Sequence, residues 1–252
     1  MGKIIAIANQ KGGVGKTTTA INFASALAIL EYKVLLVDVD PQGNASTGLG
    51  VGLEGGTIYD VITGQKTIQD IISGTDDANL DVAPADINLV GAEIELVDLE
   101  QREHILKNSI DTVKSEYDYI IMDCQPSLGI ITVNALTAAD SVLIPIQAEV
   151  FALQGLGKLT ETIEIIKTSL NPDLTVEGIL LSMFDKRLVM SRMVVDQIKE
   201  SSDYDVYETK INRNIKIAES PIAGQSVIHY DVKSTGARDF INLATEFISK
   251  QN

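Results

Sequence analysis

The chain has 252 residues, 45% of them hydrophobic, which suits one α/β domain over residues 1–252 with a substantial core. No apolar run reaches the ~20 residues of a membrane-spanning helix, and the single cysteine, Cys124, excludes an intrachain disulfide and indicates a reducing, cytoplasmic environment. The formal net charge of −15 argues against nucleic-acid binding by the chain as a whole, because like charges repel.

Short β-rich segments alternate with longer helical ones, which predicts βαβ units in a mostly parallel, twisted sheet with helices on both faces. The first half reads as strand Lys3–Ala8, helix Lys16–Leu30, strand Lys33–Val37, loop Asp38–Glu54, short helices Thr57–Ile62 and Ile68–Ile72, and strand Leu80–Ala83. The second half reads as a mostly helical Gly91–Ser115 with a break near Leu99, strand Tyr119–Met122, helix Thr132–Ala138, strand Ser141–Ile146 closed by Pro145, helix Gly155–Leu170, strand Thr175–Ser182, helix Val189–Glu200, a strand end at Ile211, and helix Ser234–Ser249.

A strand, a glycine-rich turn and a helix that begins with Lys-Thr together predict a phosphate-binding loop. Backbone N–H groups there can point into one concavity, and glycines permit the positive φ values and close approach that phosphate binding requires. We expect Lys16 to reach the β- and γ-phosphates, Thr17 to ligate Mg²⁺ and Thr18 to contact the α-phosphate. The predicted nucleotide-binding residues of the loop are Gly12, Gly13, Val14, Gly15, Lys16, Thr17 and Thr18.

Carboxylates follow two predicted strands, where open α/β sheets bind their ligands. Asp38 and Asp40 follow the second strand, and the period of two puts both on one side. Such a carboxylate can hold the Mg²⁺ shell or orient the attacking water, although an Asp before a proline can also simply form a turn. Asp123 ends an apolar strand, and beside a phosphate loop it is expected to bind Mg²⁺ through a water molecule.

The loop departs from the common pattern G-x-x-x-x-G-K-[ST], because Gln10 replaces the first glycine and Lys11 adds a second lysine. The form K-G-G-V-G-K-T resembles the deviant Walker A loop of the ParA/MinD family. The segments D-x-D-P-Q-G-N, D-C-x-P-S-L-G and A-L-T-A-A-D resemble the ParA/Soj partition ATPases in particular, over nearly the whole chain. This resemblance implies a P-loop NTPase fold, bound ATP and Mg²⁺, and an ATP-dependent sandwich dimer.

The resemblance also implies roles for individual residues. Lys11 is expected to reach the partner's nucleotide across the dimer, and Asp40 to support hydrolysis. The segment after Asp123 is expected to sense the γ-phosphate; most relatives have Pro-Pro where this chain has Gln125-Pro126, which leaves the stiffness of that segment open. Catalytic roles are thereby assigned to Lys11, Lys16, Asp40 and Asp123, and metal binding to Thr17, Asp40 and Asp123.

A segment near the C-terminus resembles the family element that holds the adenine. It reads I-N-R-N-I-K-I-A-E-S-P, and Asn212 and Asn214 fall on its adenine-side positions. Asn212 stands where a proline is usual, but its backbone carbonyl can still accept a hydrogen bond from the adenine amino group. ATP is therefore the expected nucleotide.

Basic residues of the C-terminal third correspond to the region with which the family contacts DNA. Residues 184–216 contain seven basic and six acidic side chains, so positive charge is only relatively concentrated there. Arg187, Arg213 and Lys216 align with the family's DNA-contact residues. A few phosphate contacts of this kind predict weak, salt-sensitive, non-specific binding to DNA. Dimerisation doubles the number of these contacts. From the charges alone, we would interpret these three residues as ordinary solvated surface charges.

The leading hypothesis is a ParA-type DNA-partition ATPase that loads onto the nucleoid as an ATP-bound homodimer. A ParB-type partner is expected to stimulate its slow hydrolysis and release it. A related positioning ATPase with a protein cargo, such as a microcompartment or a chemoreceptor cluster, shares the same core and remains an alternative. A MinD-like division regulator requires a C-terminal basic amphipathic helix, which residues 246–252 do not predict, so no membrane partner is expected.

Overall fold

Strands and helices alternate along the chain as the sequence pattern predicts. The computed structural model describes residues 2–149 and 152–251. The strands are β1 Lys3–Ile7, β2 Val34–Val39, β3 Ser73–Gly74, β4 Leu80–Ala83, β5 Tyr119–Cys124, β6 Ser141–Gln147, β7 Thr175–Phe184 and β8 Val206–Asn212. The helices are α1 Lys16–Ile29, α2 Asn44–Gly48, α3 Ile58–Ile62, α4 Ile68–Ile71, α5 Leu89–Glu95, α6 Ile105–Asp111, α7 Ile130–Ala138, α8 Ala152–Ser169, α9 Val189–Ser201, α10 Ile215–Glu219, α11 Val227–Tyr230 and α12 Thr235–Gln251. Short 3₁₀ turns lie at Arg102–His104, Lys114–Glu116 and Ser220–Ala223.

One sheet contains the eight strands of the described chain, in the order β3-β4-β2-β5-β1-β6-β7-β8. Neighbouring strands are parallel except for β3 and β4. In register, Asp123 near the end of β5 lies opposite Ile7 of β1 and Asp38 of β2. The carboxyl ends of the three central strands therefore meet beside the loop that follows β1. The predicted fold class, a mostly parallel α/β sheet of the P-loop type, is confirmed.

Alternate residues of each central strand enter two separate cores, one on each face of the sheet. Ile4 packs with residues of α3 to α9, whereas Ile5 packs with residues of α1, α11 and α12. Phe23 of α1 and Phe247 of α12 meet edge to face, with ring centroids 5.2 Å apart. Because α1 is buried between the sheet and α12, its first turn is held at a fixed position relative to β1.

The predicted loop over Asp38–Glu54 is wrong in two places. β2 continues to Val39, and residues 44–48 form α2. The composition of this segment favours turns, but the carboxylate of Asp38 accepts hydrogen bonds from the backbone N–H of Ser46 (2.9 Å) and from its hydroxyl (2.7 Å). Tertiary contacts thus hold a helix that local propensity does not predict.

The expectation that Pro145 closes its strand is also wrong, because β6 runs on to Gln147. The carbonyl of Leu143 accepts a hydrogen bond from the backbone N–H of Ala8, which follows β1. Pro145 faces the same side of β6, but it lies beyond the last residue of β6 that pairs with β1. Its missing N–H therefore removes no hydrogen bond with β1. The short elements β3, α10 and α11 were not predicted. The break near Leu99 is confirmed, since α5 ends at Glu95 and α6 begins at Ile105. None of the helices in the described ranges is both long and apolar enough to cross a membrane.

Candidate functional site

The loop between β1 and α1 has the backbone conformation that a phosphate cradle needs. Gly13 and Gly15 have φ values of +74° and +86°, which other residues rarely adopt. Gly15 is also the N-cap residue of α1, so the N-terminal N–H groups of a long helix face the loop. The partial positive charge of that helix end favours an anion.

Side chains from outside the loop brace it. The side-chain Nδ2 of Asn9 donates to the backbone carbonyl of Pro145 (2.8 Å), and the side-chain Oδ1 of Asn9 accepts from the backbone N–H of Lys11 (2.9 Å). The Ser182 hydroxyl donates to the carbonyl of Val14 (2.6 Å). Val14 itself is buried, so its side chain anchors the loop. The loop is thus fixed by β6 and β7.

Two cavities open on this loop and adjoin each other. The first, about 310 Å³, is lined by Gly12, Gly13, Gly15, Lys16, Thr17, Thr18, Asp40, Asn44, Pro126 and Met183. The second, about 230 Å³, is lined by Gly15, Thr18, Thr19, Ser182, Met183, Ile211, Asn212, Arg213, Asn214, Ile217, Ala218 and Phe240. The first is rich in N–H and hydroxyl donors and the second in apolar side chains. Together they suit a ligand with an anionic end and a flat, largely apolar end.

Asp123 is completely buried close to Thr17 and Lys16, which line the first cavity. Neither of its oxygens has a hydrogen-bond partner of regular geometry in the described chain. Burial raises its pKa well above the usual value, and Asp38 adds to this rise, while the hydroxyl of Thr17 and the ammonium of Lys16 oppose it. A buried carboxylate without partners is costly, so these two oxygens fit a site completed by a hydrated divalent cation.

Lys16 supplies the fixed positive charge of the site. It is 7% exposed, and its ammonium donates to the carbonyl of Lys11 (3.1 Å). Burial lowers its pKa, although the neighbouring Asp123 and Asp40 carboxylates favour the charged form. Lys16 lines the first cavity, where the positive charge of its ammonium would attract a polyphosphate.

The two aspartates after β2 have different environments. Both oxygens of Asp38 are used within the chain, by Ser46 and by the backbone N–H of Asp40 (3.2 Å). Asp40, by contrast, lines the first cavity together with Thr17. Of the two, only Asp40 is therefore placed to act on a ligand, and Asp38 holds α2 against the sheet.

Lys11 does not line either cavity of its own subunit. Its ammonium forms an ion pair with Glu149 (2.5 Å), and the side chains of Lys11 and Glu149 are 39% and 46% exposed. An exposed pair of this kind contributes little stability, so it can be exchanged for another partner. Sequence reasoning did not identify Glu149, because nothing in its local pattern marks it.

The predicted base-binding residues lie at the second cavity, but their side chains are occupied. The Asn212 amide donates to Asp239 (2.9 Å), and the Asn214 amide donates to the hydroxyl of Thr235 (2.5 Å). The side-chain Oδ1 of Asn214 caps α10 by accepting a hydrogen bond from the backbone N–H of Lys216 (2.7 Å). The two residues thus shape the wall of the cavity, and any contact with a base would come chiefly from backbone groups.

Met183 was missed by sequence reasoning. It lines both cavities and has a φ of +47°, in the left-handed region that costs a residue with a side chain about 1 kcal/mol or more. The segment around it reads as ordinary buried strand, so no sequence signal marks it.

The three predicted DNA-contact residues differ in their partners. Arg187 pairs with Asp185 (2.6 Å), and Lys216 pairs with Glu219 (2.9 Å). Arg213 is exposed, and no ion pair of it is found in residues 2–149 and 152–251. Both pairs are exposed and therefore weak.

The chain is similar to known proteins over most of its length. A family model described as an AAA domain matches residues 2–176. The chain is 50% identical to the sporulation initiation inhibitor protein Soj of Bacillus subtilis, over 98% of both chains. It is 48% identical to the chromosome partitioning protein ParA of Myxococcus xanthus, over 99% of this chain and 89% of that protein.

A solved structure links the fold to a nucleotide. The cobyrinic acid a,c-diamide synthase of Mycobacterium smegmatis, with a bound ATP analog and magnesium, superposes with a TM-score of 0.86. It is 34% identical, over 97% of this chain and 93% of that one. The chain accordingly uses ATP and Mg²⁺ and hydrolyses ATP.

We predict that Asp123→Asn raises the melting temperature of the ligand-free protein at pH 7.5. Because the folded-state pKa lies above the unfolded one, ionised Asp123 costs stability at neutral pH, and this cost vanishes below about pH 4. With Mg²⁺ and ATP the wild type should have the higher melting temperature of the two, since only its carboxylate can hold the cation. Differential scanning fluorimetry measures both. The exposed Asp173→Asn is the control, and a lower stability of the Asp123→Asn variant in both conditions would contradict the assignment.

Proposed function

The chain belongs to the ParA/Soj family of chromosome-partitioning ATPases, and on that premise we propose that ATP makes it a homodimer that binds DNA without sequence preference. In this proposal the dimer associates with the nucleoid in the cytoplasm. A ParB-type partner stimulates hydrolysis and so releases the protein from DNA. Repeated cycles segregate a replicon.

The position of Lys11 carries the proposal for a dimer. Its ammonium lies outside both cavities of its own subunit, and within residues 2–149 and 152–251 its ion pair is with the partly exposed carboxylate of Glu149. A lysine in this position can leave its own subunit's carboxylate and bind the phosphates of the nucleotide in a second subunit. The pair with Glu149 would break as the new contact forms, and the exchange of one exposed pair for a charge-assisted phosphate contact favours association.

Within each subunit the remaining residues take distinct roles. The N–H groups of Gly12 to Thr18 and the ammonium of Lys16 bind and orient the phosphates. Thr17 and Asp123 would hold the Mg²⁺ shell, and the bound ion would supply positive charge beside the phosphates. Asp40 lines the same cavity and orients the attacking water for in-line displacement at the γ-phosphorus. Asn212 and Asn214 shape the wall against which the adenine packs.

The DNA surface is proposed on Arg187, Arg213 and Lys216. Arg187 lies between β7 and α9, Arg213 lies between β8 and α10, and Lys216 lies in the first turn of α10, so all three follow the ends of β7 and β8. A chain of net charge −15 repels DNA at a distance. Binding therefore requires the doubled contacts of a dimer, and this makes DNA affinity depend on ATP.

We predict that Asp40→Ala binds ATP with near-wild-type affinity but hydrolyses it at least about tenfold more slowly. The variant keeps the loop, Lys16 and Asp123, and loses only the group that orients water. It should therefore accumulate as an ATP-bound dimer, which size-exclusion chromatography with light scattering would detect. Monomer alone in saturating ATP would count against both the dimer and the role of Asp40.

We also predict that Arg187→Glu combined with Lys216→Glu removes ATP-dependent binding of a non-specific duplex at low salt. Fluorescence anisotropy measures the affinity, and nucleotide affinity measured in parallel shows that the site is intact. The matched control is Lys107→Glu with Lys158→Glu, which changes the net charge equally outside residues 184–216. If both double variants lose DNA binding equally, net charge rather than this surface determines it.

A further inference from the structure

Helix α12 carries two polar side chains that hold the wall of the second cavity. Thr235 and Asp239 are four residues apart, so both lie on one face of the helix. The Thr235 hydroxyl accepts a hydrogen bond from the side-chain Nδ2 of Asn214 (2.5 Å), and Oδ2 of Asp239 accepts one from the side-chain Nδ2 of Asn212 (2.9 Å). Both asparagines line the cavity, whereas Thr235 and Asp239 do not. The helix thus engages the donor ends of two asparagine amides from outside the cavity.

Asp239 engages the donors of Asn212 on both the side chain and the backbone. Its Oδ2 also accepts a hydrogen bond from the backbone N–H of Asn212 (2.9 Å), and the second hydrogen of Nδ2 points to the carbonyl of Lys210 (3.5 Å). The next backbone N–H, that of Arg213, donates to the carbonyl of Phe184 (3.2 Å). Asparagine has no other N–H group. The polar atoms that Asn212 can still offer a ligand are therefore oxygens, its side-chain Oδ1 and its backbone carbonyl.

The engagement of these donors affects which base the wall can accept. An asparagine amide can present either a donor or an acceptor, but a carboxylate has only acceptor oxygens, so Asp239 determines which end of the Asn212 amide stays available. Adenine has a donating amino group at position 6, whereas guanine has an accepting oxygen there. Oxygens at residue 212 can pair with the first and repel the second. A site that pairs with one polar group discriminates against a base that leaves its buried polar atoms unpaired.

We propose that Asp239 is a positioning residue that makes the nucleotide site select adenine over guanine. It acts through Asn212, because it holds the N–H donors of that residue away from the base. The inference rests on the proposed function for the placement of the adenine against this wall. It goes further by naming the residue that sets base selectivity and the hydrogen bonds through which it does so.

A direct contact between Asp239 and the base would have the opposite effect. A carboxylate accepts hydrogen bonds, and guanine offers donors at N1 and at its 2-amino group, so a carboxylate at the base would favour guanine. Asp239 does not line the cavity, and its Oδ2 already accepts two hydrogen bonds from Asn212. The position of Asp239 therefore supports the indirect role, and the two roles predict changes of opposite sign when the carboxylate is removed.

Selectivity is measured by isothermal titration calorimetry with ADP and with GDP in Mg²⁺, since diphosphates bind without hydrolysis. The ratio of the Kd for GDP to the Kd for ADP should fall at least about fivefold in Asp239→Ala, because the released Asn212 amide can turn its Nδ2 to the guanine oxygen. Adding Asn212→Ala should bring the ratio back towards the wild-type value. Asp239→Asn, which loses the charge but keeps an accepting oxygen, should stay within about twofold of the wild type. An unchanged or higher ratio in Asp239→Ala overturns the proposal, as does an equal fall in Asp239→Asn.

Glu246 provides the matched control on the same helix. Its carboxylate accepts hydrogen bonds from the backbone N–H groups of Glu208 (2.9 Å) and Thr209 (2.8 Å) in β8, and none of these three residues lines the cavity. Glu246→Ala therefore removes a similar contact between α12 and β8 away from the base. Both alanine variants should have a lower melting temperature, but only Asp239→Ala should change the ratio. An equal change of the ratio in Glu246→Ala would assign the effect to looser packing of α12 and overturn the role of Asp239.

A further variant separates this inference from the proposed placement of the base. Ala218 is exposed and lines the second cavity, so Ala218→Trp should fill the cavity and weaken the binding of ADP at least about fivefold. Unchanged ADP affinity in this variant would contradict the placement of the adenine and, with it, the role of Asp239. Weaker ADP binding there, together with an unchanged ratio in Asp239→Ala, would overturn the role of Asp239 alone.

Discussion

The buried carboxylate of Asp123 is the constraint on which the rest of the site depends. It lies at the end of a central strand, between β1 and β2, where two layers of helices exclude water. No hydrogen bond of regular geometry satisfies it in the described chain, and Lys16 compensates its charge only in part. The site is therefore stabilised most when a cation and the phosphates that accompany it bind together.

The parts of the site that follow directly from local sequence could be predicted. Gly13 and Gly15 need positive φ, Lys16 begins a buried helix, and Asp123 ends an apolar run, so each has a signal within a few residues. The same holds for the alternating strands and helices. The fold class and the phosphate loop were thus predictable with no knowledge of distant contacts.

The parts that depend on distant contacts could not be predicted. Helix α2 exists because Asp38 holds Ser46, and Pro145 stays within a strand because β1 has already ended beside it. The partner of Lys11, Glu149, lies more than a hundred residues away in the sequence, and no local pattern marks the positive φ of Met183. Sequence patterns report burial and turns, but not which polar group a side chain will meet.

The central claim is that nucleotide state controls DNA affinity, and one titration tests it most directly. Labelled non-specific duplex is titrated with the protein in ATP, in ADP and without nucleotide, at two salt concentrations, with Lys16→Ala as the variant that lacks the phosphate contact. The account predicts binding in ATP alone, weakening steeply with salt and absent in the variant. Equal binding in all three nucleotide conditions, or no binding in ATP at low salt, would contradict it.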